Sequence, residues 1–205
     1  MSTNQEQTVK VFTADPSALA LFGLSMITFV ASSQKLGITE GTSFLIPWAI
    51  MLGGLAQLIG CFGDFKRGNV FGGTAFGAYG FFWISMAFGW MIQNGVFGEA
   101  LAKGVDAHQV GFAFIGFLIF SLFMTIGAAE THKVLFTLFA LIDLLFLGLA
   151  LYTFGIAPEF THLMSGVVEF VISLVGFYAC AAAVLNPHLG RVFLPVGKPF
   201  GIFKK

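Results

Sequence analysis

Long apolar stretches alternate with short polar connections along the whole chain. We find six stretches, each about twenty residues long, at 16–33, 43–62, 74–93, 109–129, 134–155 and 163–185. A helix of about twenty residues crosses about 30 Å of hydrocarbon, whereas the strands of a membrane barrel are about ten residues long and alternate apolar with polar positions. The pattern therefore predicts an all-α membrane protein. Six transmembrane helices occupy residues 15–186, between an N-terminal tail at 1–14 and a C-terminal tail at 187–205.

The amino-acid composition is also that of a membrane protein. Of the 205 residues, 57% are hydrophobic and 10% are charged, and the 27 Phe outnumber all the charged side chains. A soluble domain carries about 25% charged residues and cannot bury so much apolar surface. The formal net charge of zero gives no electrostatic footprint for a nucleic acid. These numbers exclude a soluble enzyme, a disordered chain and a nucleic-acid binder.

No pattern of catalytic or metal-binding residues is present. The chain has neither a phosphate-binding loop nor a nucleophile elbow, and its four His lack metal-ligand spacing. Cys61 and Cys180 each lie in or beside an apolar stretch, which is typical of inert thiols. We therefore expect no enzymatic activity, no cofactor and no metal site.

The distribution of Lys and Arg predicts the orientation. Six spans place both termini on one side of the membrane, and eight Lys or Arg fall on that side, against Lys35 and Lys103 on the other. Because cytoplasmic loops carry the excess of basic residues, both termini are predicted to be cytoplasmic. The polar N-terminus predicts no cleaved signal peptide. Short loops without organelle signals favour a prokaryotic inner membrane.

Two acids lie inside apolar stretches. Asp143 is near the middle of the fifth stretch, and Glu169 lies towards the outer end of the sixth. A charge at mid-membrane costs about 2.5–3.5 kcal/mol on insertion scales, so such a residue has a partner or a role. Asp143 either lies on a substrate or proton pathway or is a hydrogen-bonded acid between helices. For Glu169 a structural or interfacial role is favoured. No Lys or Arg lies inside the six predicted stretches to pair with Asp143.

Further polar residues leave alternatives open. Gln57 in the second stretch either bonds another helix or faces water. Tyr79, with Thr74 nearby in the third stretch, either offers its hydroxyl to a permeating anion or bonds a neighbouring helix. The Gly-rich connection at 67–73 either dips into the membrane or is a plain turn, and it contains Asn69.

Residues 53–83, GGLAQLIGCFGDFKRGNVFGGTAFGAYGFFW, carry a family resemblance. They resemble the acetate uptake transporter family, the succinate–acetate permeases, whose members show GGxAQ, an acid and a basic pair, and then GNxFGxTAFxxYGxFW at this spacing. GRVFLPVG at 190–197 is similar to the family's GRxxLPxG ending. The length of about 200 residues and the six helices also fit, so the resemblance covers nearly the whole chain.

The family's N-terminal motif, NPAPLGL, is only partly kept at 15–21. Pro16, Leu19 and Leu21 match, whereas Asp15 replaces Asn and two further positions differ. This departure leaves open how the motif binds substrate and which substrate is preferred. Because the two membrane acids are outside the family's pattern, they indicate a divergent member.

The resemblance implies a homohexamer in the bilayer, with a pore inside each subunit. Such proteins move acetate and related short monocarboxylates, with succinate in some members, by proton-linked or channel-like transport. The positions matching the family's hydrophobic constriction are Leu24, Tyr79 and Ile142, and Asp143 follows directly. Gly176 matches the small residue of the sixth helix that leaves room for substrate.

Two amide side chains are expected on the conduction path, and two other functions remain open. We expect Gln57 and Asn69 to face the conduction path and donate hydrogen bonds to the carboxylate. One alternative is a channel for ammonium, formate or bicarbonate on the same scaffold, since a mid-membrane acid suits a cation or a proton better than an anion. The other is a structural or sensory membrane protein with a closed pore.

Overall fold

The computed structural model describes residues 14–203, which form six long helices and, within that range, no β-strand. The six are Ser17–Lys35 (α1), Leu45–Lys66 (α2), Val70–Gln93 (α3), Ala107–Ala128 (α5), Lys133–Thr153 (α6) and Pro158–His188 (α7). A five-residue helix, Glu99–Lys103 (α4), lies between α3 and α5. The prediction of an all-α protein with six helices long and apolar enough to cross a membrane is confirmed. Of the predicted N-terminal tail, residues 1–13 lie outside the described residues.

Several helix ends lie up to five residues from their predicted positions; for example, α2 ends at Lys66 and α3 begins at Val70. Helix α1 runs two residues further than predicted and ends at Lys35, so the expectation that no cation lies in a helix is wrong at this residue. Helix α7 has 31 residues and begins at Pro158, a residue type whose fixed φ suits the first turn of a helix. At 1.5 Å per residue, α7 is about 46 Å long and extends beyond the hydrocarbon.

The Gly-rich connection between α2 and α3 is a plain turn. Only three residues, 67–69, separate the two helices, and Gly68 among them has a φ of +77°. The Asn69 side chain accepts a hydrogen bond from the Gly72 N–H at 3.1 Å and so caps α3. The segment therefore starts α3 directly and leaves no residues for a separate re-entrant loop.

The six helices form a closed ring. Helix α2 packs against α1 and α3, α1 against α7, α7 against α6, and α6 against α5. The ring closes between α3 and α5 through side chains. The Phe82 and Phe117 rings lie 4.9 Å apart, and the Tyr79 hydroxyl donates to Ser121 Oγ at 3.0 Å. A single subunit therefore encloses an interior of its own.

Glycines bring α2 close to its neighbours. The middle of α2, Ala49–Ala56, is π-helical. A β-carbon at Gly53 would lie 2.7 Å from Trp83 Cγ of α3, and one at Gly23 of α1 would collide with the Leu52 carbonyl oxygen. Since lipid provides no hydrophobic drive between helices, small residues stabilise the ring by allowing close backbone contact.

The segment after α7 folds back across the ends of α5 and α6. The Asn186 amide donates to the Leu194 carbonyl and accepts from the Leu194 N–H, both at 2.9 Å. The Val134 N–H of α6 donates to the Val196 carbonyl at 3.1 Å. These bonds give the LPVG stretch at 194–197 a structural role.

We expect Gly23→Ala to destabilise the protein by about 1–3 kcal/mol, because the added methyl group would press on backbone that cannot rotate away. The midpoint of thermal unfolding in detergent measures the change. Gly89→Ala is the matched control, since no atom lies within 4 Å of a β-carbon at Gly89 of α3. Its midpoint should stay the same or rise slightly, because Ala is the better helix former. Equal losses in both variants would contradict close packing at Gly23.

We expect the stability of the protein to fall as the pH drops below about 6.5, the ordinary pKa of His. His132 Nδ1 accepts the Leu135 N–H at 3.1 Å, and burial lowers the pKa of His132. The unfolded chain then binds a proton at a pH where the folded chain does not, so this stabilisation is present above that pH and is lost below it.

The measurement is the unfolding midpoint of wild type and His132→Asn between about pH 5 and pH 8. Asn caps a helix without titrating, so its stability should depend less on pH. Identical pH profiles would contradict the role assigned to His132.

Candidate functional site

A cavity of about 660 Å³, here called cavity A, opens between the helix ends on the side where Ser17 begins α1 and the C-terminal segment ends. Its walls come from α1, α2, α3, α5 and α6. Leu24, Tyr79 and Ile142, each close to the middle of its helix, all line it and are buried. The structure therefore brings the three residues expected at the constriction together around one lumen.

Both amides expected in the path also line cavity A, as does Leu21. Gln57 is fully buried; its Nε2 donates to the Gly53 carbonyl at 2.7 Å, and its Oε1 has no hydrogen-bond partner. Asn69 uses its Oδ1 to cap α3. At Gln57 the amide oxygen is thus the unused group, and an oxygen accepts from an O–H group instead of donating to a carboxylate.

Asp143, Thr74 and Gly176 are not brought to the wall of cavity A. Asp143 Oδ2 accepts from Thr125 Oγ1 at 2.7 Å, so this carboxylate lies between α6 and α5. Gly176 faces α1, where a β-carbon would collide with Ser25 Oγ. Asp143 has the geometry of the hydrogen-bonded acid between helices, and Gly176 that of a close helix contact.

The N-terminal motif has mostly structural contacts. Pro16 packs against α2, and Leu19 is 44% exposed on the outside of the subunit. Asp15 Oδ1 lies 2.9 Å from Arg67 Nη1 and accepts the Ser17 N–H at 2.9 Å. Partial burial raises the pKa of Asp15, but the Ser17 hydrogen bond and the Arg67 charge outweigh it and lower the pKa below its ordinary value. The replacement of Asn by Asp thus adds an ion pair at the start of α1.

The ionisable groups on the walls of cavity A are acids and one histidine. Asp64 is 1% exposed, and its Oδ1 lies 4.0 Å from Arg67 Nη1. Glu130 Oε1 accepts two backbone N–H groups of the C-terminal segment at 2.7 and 2.9 Å. His132, whose pKa is lowered by burial, is the third. Among the described residues no Lys or Arg lines cavity A, although Arg67 lies close to the wall residue Asp64.

A second cavity of about 340 Å³, cavity B, lies at the opposite ends of the helices. Lys35 of α1 and Glu169 of α7 both line it, with Lys35 Nζ 2.8 Å from Glu169 Oε2. The side chains are 15% and 2% exposed. Glu169 has the interfacial contact expected of it, but its partner was missed, because Lys35 was assigned to a loop.

A thin apolar partition separates the two cavities. Tyr79 and Ile142 line cavity A, whereas Phe82 and Leu145, three residues further along the same helices, line cavity B. Three residues of helix rise about 4.5 Å. Phe146 packs against Tyr79 and Phe82, with ring centroids 6.3 and 5.2 Å apart. An apolar constriction of this kind interrupts a water column. Phe82 belongs to the family motif that ends at Trp83, but nothing in the sequence separates Phe146 from the other Phe.

Known proteins resemble this chain along its length. The succinate-acetate/proton symporter SatP of Escherichia coli (strain K12) is 29% identical over 186 residues, which are 90% of this chain and 96% of that protein. Ammonia transport outward protein 2 of Saccharomyces cerevisiae is 28% identical over 175 residues, 83% of this chain and 61% of that protein. A solved structure described as the bacterial acetate channel SatP matches with a TM-score of 0.84 and 27% identity, covering 91% of this chain and all of that one.

The family comparison agrees with these relatives. The model of the GPR1/FUN34/yaaH family matches residues 1–198, which is nearly the entire chain. The motif-bearing turn between α2 and α3 and the fixed LPVG segment both fall within that match. This chain belongs to the GPR1/FUN34/yaaH family.

Proposed function

We propose that this chain carries acetate and related short carboxylates, with the dicarboxylate succinate among them, across a prokaryotic inner membrane. The observation that carries the proposal is the pair of cavities inside one helix ring, separated by a partition about one helical turn thick. A route with two wet ends and an apolar centre suits a small amphipathic solute. The names of two relatives, a succinate-acetate/proton symporter and an acetate channel, support this substrate class.

The partition favours proton-linked passage. An ionised carboxylate loses its hydration there without gaining a charged partner, whereas the neutral acid crosses at much lower cost. Leu24, Tyr79 and Ile142 form the cavity A face of the constriction. Gln57 receives the solute beyond it through the unused amide oxygen, and Asn69 lies at the exit of the path.

Three residues receive roles outside the path. Asp143 stabilises the α5–α6 contact through Thr125. Gly176 sets the distance between α7 and α1 and so limits the room in the ring. Thr74 is part of α3 and precedes the wall residue Ala75.

We also propose the orientation and the assembly. With both termini in the cytoplasm, cavity A opens inwards and cavity B outwards, and the excess of Lys and Arg on the terminal side supports this direction. The assembly is a homohexamer, as the family resemblance implies. Large exposed apolar side chains such as Phe81 and Phe112 are available for subunit contacts as well as for lipid.

A second candidate function is ammonium transport. Cavity A has acids on its wall and, among the described residues, no Lys or Arg, which suits a cation better than an anion. The name of the yeast relative points the same way.

Flux into liposomes containing the purified protein tests the proposal. Radiolabelled acetate should enter faster than into protein-free liposomes, and an acidic exterior should accelerate entry. Ammonium flux without acetate flux would support the second candidate instead. Protein-containing liposomes that pass neither solute would overturn both.

We expect Ile142→Ala to widen the constriction and raise the ratio of lactate to acetate uptake by roughly tenfold. A difference of one methylene group in an apolar pocket changes the preference between two substrates by about this factor. The measurement is competitive uptake of the two labelled acids in liposomes.

Leu144→Ala is the matched control for this variant. Leu144 is two residues away on α6 but 39% exposed, on the outside of the subunit. Its ratio should equal that of wild type. A change in both variants, or in neither, would contradict a selective role for Ile142.

A further inference from the structure

The ion pair in cavity B is almost fully buried, yet it lies on a cavity wall. Lys35 Nζ and Glu169 Oε2 are 2.8 Å apart, and the Glu169 side chain is 2% exposed. The pair between Lys103 and Glu99, 2.9 Å apart, is by contrast exposed at both side chains. Burying two charges costs more than an exposed pair gains, so a pair kept beside a cavity calls for a further role.

The groups that face this pair leave Lys35 as the main cation. Tyr152 of α6 and His162 of α7 both line cavity B. Their rings lie 4.7 Å apart. Helices α2 and α3 contribute apolar side chains and Gln93, and α5 contributes a phenylalanine. Within residues 14–203, Lys35 is the one Lys or Arg on the cavity B wall.

We propose that cavity B is a carboxylate site in which Lys35 holds the anion after Glu169 has taken up a proton. The proposal rests on the proposed function and names how its substrate is first bound. The proton goes from a hydronium ion in cavity B to Glu169 Oε2, the oxygen that otherwise accepts from Lys35. One O–H bond of the hydronium ion breaks and leaves a water molecule, one O–H bond forms on Glu169, and the hydrogen bond between the two side chains is lost.

The charge of the site is balanced before and after binding. In the empty site Lys35 is neutralised by Glu169. In the filled site Lys35 is neutralised by the substrate carboxylate, and Glu169 is neutral. An ionised Glu169 and a bound carboxylate together would place two anions on one cation in a poorly hydrated pocket, which is unfavourable. Binding of the anion and uptake of one proton are therefore a single linked event.

Calorimetric titration of the full-length protein with sodium acetate in detergent tests this linkage. Runs in two buffers with different ionisation enthalpies give the number of protons taken up for each acetate bound. For wild type near neutral pH we expect about one proton, and an affinity that falls roughly tenfold for each unit of rising pH. For Glu169→Gln we expect almost none, and an affinity that is nearly independent of pH, because Gln leaves Lys35 available without titrating.

Two further variants keep the test decisive. Glu99→Gln removes the acid of the exposed pair and should behave as wild type. The double variant Lys35→Gln with Glu169→Gln replaces both charges, so it leaves no unpaired buried charge to prevent folding, and it should lose acetate binding by at least tenfold.

Specific results would overturn the inference. Proton uptake by Glu169→Gln equal to that of wild type would do so, as would acetate binding by the double variant at wild-type affinity. Wild-type protein that transports acetate but binds it without proton uptake would overturn this inference alone. Protein that neither binds nor transports acetate would overturn the proposed function, and this inference with it.

Discussion

An ionised carboxylate loses its water when it enters an apolar constriction, which costs free energy. The architecture of this chain depends on that desolvation cost. The six-helix ring leaves two cavities and, between them, a partition one helical turn thick. Phe146 fills it between Tyr79 and Phe82. A thicker partition would stop a small acid, and an open one would pass water and ions. The length of the dehydrated step is thus set by three residues of rise on α3 and α6.

The ionisable groups follow from the same constraint. Asp64 and Glu130 line cavity A, whereas the paired Lys35 and Glu169 line cavity B, so charge is kept at the two ends of the route. Asp143 lies between α5 and α6, bonds Thr125 and lines neither cavity. A carboxylate entering at cavity B meets a cation whose counter-ion can be neutralised by a proton. The neutral acid then has the lower barrier at the partition.

Much of the fold was predictable from the sequence, because twenty-residue apolar stretches have few solutions in lipid. The family resemblance pointed to Leu24, Tyr79 and Ile142, which the structure brings around one lumen. Side-chain contacts between distant helices were not predictable: Lys35 and Glu169 are 134 positions apart, and helix α1 had to be two residues longer than its apolar stretch for them to meet. Hydropathy does not distinguish one Phe from another among the 27, so the position of Phe146 at the partition could not be predicted from it.

Thiol accessibility tests most directly whether the route is two cavities divided at mid-membrane. Leu138 lines cavity A and Leu149 lines cavity B, on the same helix. In a background of Cys61→Ser and Cys180→Ser, single cysteines at these two positions are exposed to a membrane-impermeant thiol reagent from either side of oriented vesicles. The account predicts that Leu138→Cys reacts only from the side of the termini and Leu149→Cys only from the other, with acetate slowing both. Reaction of both from one side, or of each from both sides, would contradict it.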